Sequence, residues 1–172
     1  MINLSNKPDW FLTINPKGGV PVLKVEDQVL TDSSDIVSYA SQHSKQHLFI
    51  SSGTTIPGSG IFRAFVEYLK SSSAAEEAVC REKLEYELSL LNHHLASAGT
   101  KYICGSNLSP ADFDMAPKLY HIQVAGKALK KFEIPSRFSS LLNYMQSVKS
   151  SEVWKQTEYP PEYIIQGWKQ HI

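Results

Sequence analysis

Ser109-Pro110-Ala111-Asp112-Phe113-Asp114-Met115-Ala116 is the stretch on which the fold turns. A serine followed three residues later by an acid is a capping box: the serine bonds the backbone N–H three residues on, and the carboxylate reaches back. Pro110 suits the first helical position, where its missing N–H leaves no hydrogen bond unmade. A helix therefore starts here, and Phe113, Met115, Ala116, Leu119, Tyr120, Ile122, Val124 and Ala125 leave it little polar face. A helix of that kind is buried on most sides, and it is expected to be the spine of the second half of the chain.

Upstream of it, Ile61, Phe62, Phe65, Val66 and Leu69 recur at helical spacing, and Cys80, Leu84, Leu88, Leu91 and Leu95 come next in steps of four, four, three and four. These are two amphipathic helices, read as antiparallel neighbours. The leucine stripe is helix-packing core or a dimer seam, not a cofactor box. Downstream, Pro135 starts a helix through Phe138, Leu141, Leu142 and Met145. Pro160-Pro161 then separates a short helix at Val153-Trp154 from an aromatic tail ending in Trp168. No internal repeat is present.

The first 50 residues read differently. Residues 2–4 are strand-like, Pro8 suits the first turn of a short helix, and Asn15-Pro16-Lys17-Gly18-Gly19 ends it. Val20-Pro21-Val22-Leu23-Lys24-Val25 and Gln28-Val29-Leu30 are β-rich and separated by Glu26-Asp27, which predicts a hairpin. Asp32-Ser33-Ser34-Asp35 then caps a helix with Ile36, Val37 and Ala40 on its apolar face. The Ser/Thr/Gly/Pro-rich run at 51–59 marks a linker, so the expected division is residues 1–50, a linker at 51–59 and an all-helical unit at 60–172. A lone two-stranded hairpin is marginal in water, so something normally completes that sheet.

Composition narrows the function classes. The chain has 172 residues, with 17 Lys+Arg against 17 Asp+Glu. That balance lacks the electrostatic footprint of a nucleic-acid binder. No apolar run approaches the roughly 18 residues of a membrane span, and residues 1–10 lack a signal-peptide layout. Two cysteines, Cys80 and Cys104, are too few for a disulfide scaffold and fit a reducing compartment. Cys80 falls on the leucine stripe as an inert core thiol, and Cys104 reads as a packed loop residue rather than a nucleophile. His43 with His47, and His93 with His94, lack the further ligands that a zinc site requires. No metal is expected.

Asn6-Lys7-Pro8-Asp9-Trp10-Phe11, Gly19-Val20-Pro21-Val22, Asp32-Ser33, the capping box, Pro117-Lys118-Leu119-Tyr120-His121 and the terminal Ile165-Gln166-Gly167-Trp168 are, taken together and in this order, closely similar to plant-type, glutathione-dependent dehydroascorbate reductases. These belong to the glutathione transferase superfamily, and the resemblance spans essentially the whole chain. The Val-Pro turn, acid-Ser pair and capping box mark only the superfamily. Asn-Lys-Pro-x-Trp-Phe and Lys-Leu-Tyr-His are specific to the reductases and fit them better than chloride-intracellular-channel relatives of the same fold.

The resemblance implies an α+β protein of the glutathione-transferase fold: an incomplete thioredoxin-like amino-terminal domain and an all-α carboxy-terminal domain, with glutathione in the cleft. It assigns glutathione binding to Lys7, Val20, Pro21, Asp32 and Ser33, and ascorbate contact to His121 and Trp168. A cis Pro21 would turn the Val20 backbone toward the cysteinyl segment of a peptide, as an added strand does. Ser33 at a helix start would meet the γ-glutamyl carboxylate with N–H groups and the positive dipole end. Taken singly, each of these has an ordinary explanation: a β-bend, an N-cap, a solvated lysine, a packed histidine and a packed tryptophan. Only their joint occurrence points to a site.

Members of this family begin with a strand, a Cys-Pro-Phe-Cys/Ser turn and a helix, and this chain resembles the portion of the family that comes after that helix. The implied reaction is glutathione-dependent reduction of dehydroascorbate to ascorbate, an oxidoreductase activity of ascorbate recycling and redox homeostasis. Its nucleophilic cysteine is expected in a segment ahead of this chain, so no residue here is assigned a catalytic role. The alternative is a catalytically silent glutathione-transferase-fold binding module. Glutathione is the expected co-substrate and dehydroascorbate or ascorbate the other small-molecule partner. A monomer in the cytoplasm is expected, or in the plastid if a transit segment precedes the chain.

Overall fold

The computed structural model describes residues 6–43 and 56–172. The chain divides into two compact units, residues 1–50 and 51–172. The expected strand at residues 2–4, His47 and the first part of the linker lie outside the described residues.

In the first unit, α1 spans Asp9–Ile14 with Pro8 at the N-cap, one position earlier than the first-turn placement. Phe11 is the buried anchor of this helix. Strands β1 (Leu23–Val25) and β2 (Gln28–Leu30) pair antiparallel, with Leu23 opposite Leu30 and Val25 opposite Gln28. The turn is Glu26-Asp27 as read, with Glu26 at φ 51. β1 is shorter than its β-rich run: the ladder starts only at Leu23, and the Val20–Pro21 peptide ahead of it is cis. Helix α2 covers Ser33–His43. Its inner face differs from expectation: Ala40 is exposed and Ser41 is buried, with the Ser41 hydroxyl donating to the Val37 carbonyl at 2.7 Å. That back-bond satisfies the hydroxyl locally and lets a polar residue occupy an inner position.

The second unit is helical and carries the core. Helices α3 (Ile61–Lys70) and α4 (Ala74–Ala98) are joined by three residues. The Gly58 and Gly60 turn before α3 lies against Glu87 and Leu91 of α4, so the two helices run antiparallel. Ile61, Phe65, Tyr68 and Leu69 of α3 meet Cys80, Leu84, Leu88, Leu91 and Leu95 of α4, all buried. Each fully buried leucine contributes about 1.5–3 kcal/mol relative to exposure. The stripe is thus core within one unit. Ser73 caps α4 by accepting the Glu76 N–H at 3.2 Å.

Helix α5 (Pro110–His121) starts at the capping box. It does not continue as one α-helix through Ala125, as the apolar run suggests. At Ile122–Gly126 the ladder widens to a π-helical segment, and α6 (Lys127–Lys130) resumes it. Gly126 has no room for a side chain without displacement: a Cβ there would lie 3.3 Å from the Phe132 ring, which folds back after Lys131. At the end of α6 the Lys130 ammonium donates to the Ser71 carbonyl at 3.0 Å, the Ser71 hydroxyl at 3.1 Å and Glu77 at 2.8 Å. This ties the spine to the α3–α4 turn.

Helix α7 spans Ser139–Lys149, four residues later than Pro135 predicts. Pro135 instead opens a turn in which the Phe138 N–H bonds the Pro135 carbonyl at 3.0 Å. Leu141, Tyr144, Met145 and Val148 then face the core. The short helix at Val153-Trp154 is α8, Glu152–Thr157, and the aromatic tail is α9, Pro161–Lys169. Helix α9 packs on the π segment, and that contact sets Trp168 beside the end of α5.

Candidate functional site

In the first unit, four of the five residues assigned to glutathione, Val20, Pro21, Asp32 and Ser33, are exposed; Lys7 is half-buried. Lys7 lies over Gly18, whose φ of +66 falls in the left-handed region that glycine tolerates. An added Cβ at Gly18 would sit 3.1 Å from the Lys7 Cδ. The loop that delivers Val20 is held from beneath by Asn15, which is 4% exposed. Its amide donates to the Gly19 carbonyl at 2.8 Å, while its own carbonyl accepts the Gly18 N–H at 2.8 Å. The sequence marks Asn15 only as the first residue of a turn; its structural task depends on both bonds together. Ser33 is the first residue of α2, and the Asp32 carbonyl accepts the Ile36 N–H at 3.0 Å, so Asp32 begins that helix's ladder.

In the second unit, His121 and Trp168 come together although 47 positions apart. His121 is the last residue of α5, and Trp168 lies near the end of α9. The Trp168 Nε1–H donates to His121 Nδ1 at 3.0 Å. Phe65, fully buried, meets the Trp168 ring edge-on at 5.5 Å, and Phe62 lies 6.0 Å from Trp168 and 6.1 Å from His121. A cavity of about 260 Å³ opens beside them, lined by His121, Tyr159, Tyr163, Ile164 and Trp168 among others. It falls just below the roughly 300 Å³ at which pockets for drug-sized ligands begin, which suits a small ligand, and its exposed lining is almost wholly apolar.

Tyr159, in the turn between α8 and α9, is the residue that sequence reading missed. Its hydroxyl lies 2.7 Å from His121 Nε2. No local pattern announces it, because its partner is 38 positions away.

Burial holds the His121 imidazolium below the usual histidine pKa of 6.5. The lowered value fixes the sign of the pH dependence. Between the native value and 6.5, the unfolded chain takes up a proton that the native chain refuses, so stability rises with pH through that window. Helical-unit stability should therefore fall as pH drops below about 6.5. His121→Gln, which cannot titrate, should flatten the dependence; urea midpoints from pH 5 to 8 check it, and an unchanged slope would contradict the assignment.

The two cysteines are placed apart from any such chemistry. Cys80 is buried on α4, as its stripe position predicts. Cys104 is exposed, not packed, at a small turn where Tyr102 and Gly105 form an isolated bridge. The neighbouring Tyr102 and Ile103 fill the core instead. His94 bonds the Ile103 carbonyl at 2.9 Å, and His43 bonds the Tyr39 carbonyl at 2.8 Å. Among the described residues, no group of three or more His, Cys, Asp or Glu could hold a metal ion, and no helix is long and apolar enough to cross a membrane.

Residues 1–43 match the family model for the glutathione S-transferase N-terminal domain, and residues 59–156 match that for the C-terminal domain. The chain is 34% identical over its whole length to glutathione S-transferase DHAR2 of Arabidopsis thaliana, covering 80% of that protein. It is 35% identical to the probable cytosolic glutathione S-transferase DHAR1 of Oryza sativa subsp. japonica, over 98% of this chain and 78% of the relative. The solved structure of Chlamydomonas reinhardtii dehydroascorbate reductase superposes with a TM-score of 0.86 at 35% identity, over 99% of this chain and 80% of that one. The chain belongs to the glutathione S-transferase superfamily and has its fold. Within the superfamily it is a member of the plant-type dehydroascorbate reductases.

Proposed function

We propose that this chain carries the glutathione- and ascorbate-recognising parts of a dehydroascorbate reductase. The observation that carries the reading is the 35% identity to a solved dehydroascorbate reductase sustained over 99% of the chain. In the proposed reaction dehydroascorbate gains two electrons and two protons to become ascorbate, while two glutathione thiols are oxidised to one disulfide. A cysteine thiolate is the relay: it and one glutathione thiol give two electrons to dehydroascorbate and join as a mixed disulfide, which a second glutathione thiol breaks by exchange, releasing glutathione disulfide and the cysteine thiolate. Lys7, Val20, Pro21, Asp32 and Ser33 bind glutathione. Ser33 and the amides of the first turn of α2 receive a carboxylate, as a helix N-terminus does. His121 and Trp168 belong to the ascorbate pocket. No metal takes part.

Neither cysteine of this chain suits the relay. A reactive thiolate needs access and a helix N-terminus or a cation to lower its pKa. Cys80 is buried in an apolar stripe, and Cys104 sits on a turn outside any helix. In the reductase reading the relay cysteine is therefore neither of these two. The placement of the two cysteines also favours a second reading, in which the chain is a catalytically silent binding module. A monomer in the cytoplasm or plastid fits either.

Two proteins separate the readings: the 172-residue chain, and the product of its gene with any coding sequence upstream of Met1. Both are assayed for dehydroascorbate reduction by ascorbate absorbance, and for glutathione binding by calorimetry. The reductase reading expects turnover only where an upstream Cys-Pro turn is present, with loss on mutating that cysteine. Glutathione binding by both without turnover by either supports the silent module. Turnover by the 172-residue chain that survives the Cys80→Ser/Cys104→Ser double variant contradicts both.

A further inference from the structure

His121 uses both ring nitrogens inside the protein. An indole N–H can only donate, so His121 Nδ1, 3.0 Å from Trp168 Nε1, presents its lone pair. A neutral imidazole then carries its proton on Nε2, and that N–H donates to the Tyr159 oxygen at 2.7 Å. Because the Tyr159 oxygen is the acceptor in this bond, its own O–H proton remains to be given elsewhere. Among the described residues no hydrogen bond takes it up.

We propose that the Tyr159 hydroxyl, not the His121 imidazole, is the hydrogen-bond donor that this pocket presents to an oxygen of ascorbate, with His121 as the positioning residue behind it. The proposal rests on the proposed function, in which the cavity beside His121 and Trp168 receives ascorbate. Three features support the division of labour. Tyr159 is held at both ends by successive residues of α5: the Tyr120 hydroxyl donates to the Tyr159 carbonyl at 3.2 Å, and His121 holds the side chain. Pro160 comes next in the chain and restricts the turn. A hydroxyl that accepts an N–H bond becomes a stronger donor, since successive hydrogen bonds polarise one another.

The charge states agree with this chain of donors. Burial raises the Tyr159 phenol above its usual value, so the O–H is retained at neutral pH. Burial likewise keeps His121 neutral, which the Trp168 bond requires, because a proton on Nδ1 would face the indole N–H. Tyr159 remains 38% exposed and lines the cavity. The phenol is therefore fixed in position at the wall of the cavity.

The test uses the 172-residue chain labelled with ¹⁵N-histidine, anaerobic ascorbate as the probe, and the variants Tyr159→Phe and His121→Gln. Long-range ¹H–¹⁵N spectra at pH 7.5 should show His121 as the Nε2–H tautomer in the wild type and in Tyr159→Phe. Calorimetric titration should give Tyr159→Phe a Kd for ascorbate about tenfold weaker, or about 1.4 kcal/mol. His121→Gln, whose amide can still donate toward Tyr159, should lose less than Tyr159→Phe does. Wild-type-like ascorbate binding by Tyr159→Phe, an Nδ1–H tautomer, or a larger loss in His121→Gln would each overturn the assignment to Tyr159 while leaving the ascorbate pocket standing. Failure of the wild type itself to bind ascorbate would overturn the pocket reading and this proposal with it.

Discussion

Asp112→Ala should cost the helical unit about 3 to 5 kcal/mol, because it strands buried donors rather than merely deleting contacts. The Asp112 carboxylate is fully buried. One oxygen accepts the Ser109 N–H at 2.8 Å and the Ser109 hydroxyl at 2.6 Å; the other accepts the Ile103 N–H at 3.0 Å. Ser109 and Ile103 are themselves buried, so water cannot replace the lost acceptor. The carboxylate therefore both starts α5 and pins the 102–105 turn to it. Asp112→Asn, which keeps one carbonyl acceptor, should recover part of the loss. Urea unfolding of the helical unit measures both: the midpoint should fall with little change in slope. A loss below about 1 kcal/mol for the alanine variant would show that the cap is dispensable.

Phe65→Ala should be of similar size, about 3 to 5 kcal/mol, through a different cause. Phe65 is fully buried on α3, and its removal leaves a cavity between α3 and the Trp168 ring that it meets edge-on. The indole would lose the wall that holds it toward His121. Phe65→Ala should therefore lower stability and, at temperatures where the chain is still folded, weaken ascorbate binding. Phe65→Leu, which refills most of the volume, should restore most of the stability but less of the binding, because a flexible aliphatic chain does not fix the ring's angle. Thermal unfolding with calorimetry on both variants checks this. Parallel recovery of stability and binding in Phe65→Leu would mean that Trp168 is oriented without Phe65.

Features carried by local chemistry were legible in the sequence. The Ser109 to Asp112 box needs only four residues and marks the helix start. The Cys80 to Leu95 stripe needs only periodicity, and every one of its members is buried. The hairpin turn at Glu26-Asp27 is equally local. Features that depend on distant partners were not legible. Ser41, not Ala40, takes an inward position on α2, and the hydroxyl's back-bond to Val37 satisfies it there. Pro135 looks like a helix start, but Phe138 is claimed by the core first and delays α7 to Ser139. His121 and Trp168 could be singled out by family resemblance. Tyr159 could not, because its hydroxyl matters only through a ring that reaches it from another helix.

The π segment at Ile122–Gly126 has a consequence for the length changes that the spine tolerates. An α-helix advances about 100° and 1.5 Å per residue, so a wide turn holds one residue more than the regular ladder needs. Deleting a single residue there would convert the segment to ordinary α-helix and improve its local hydrogen bonding. It would also rotate the downstream chain by about a quarter turn, carrying Lys130 away from the Ser71 carbonyl and Glu77. Helix α9, which packs on the segment and carries Trp168, would lose its seat in the same step. Local regularity and global phase are opposed at these five residues, and the phase that brings His121 to Trp168 is the one the fold keeps.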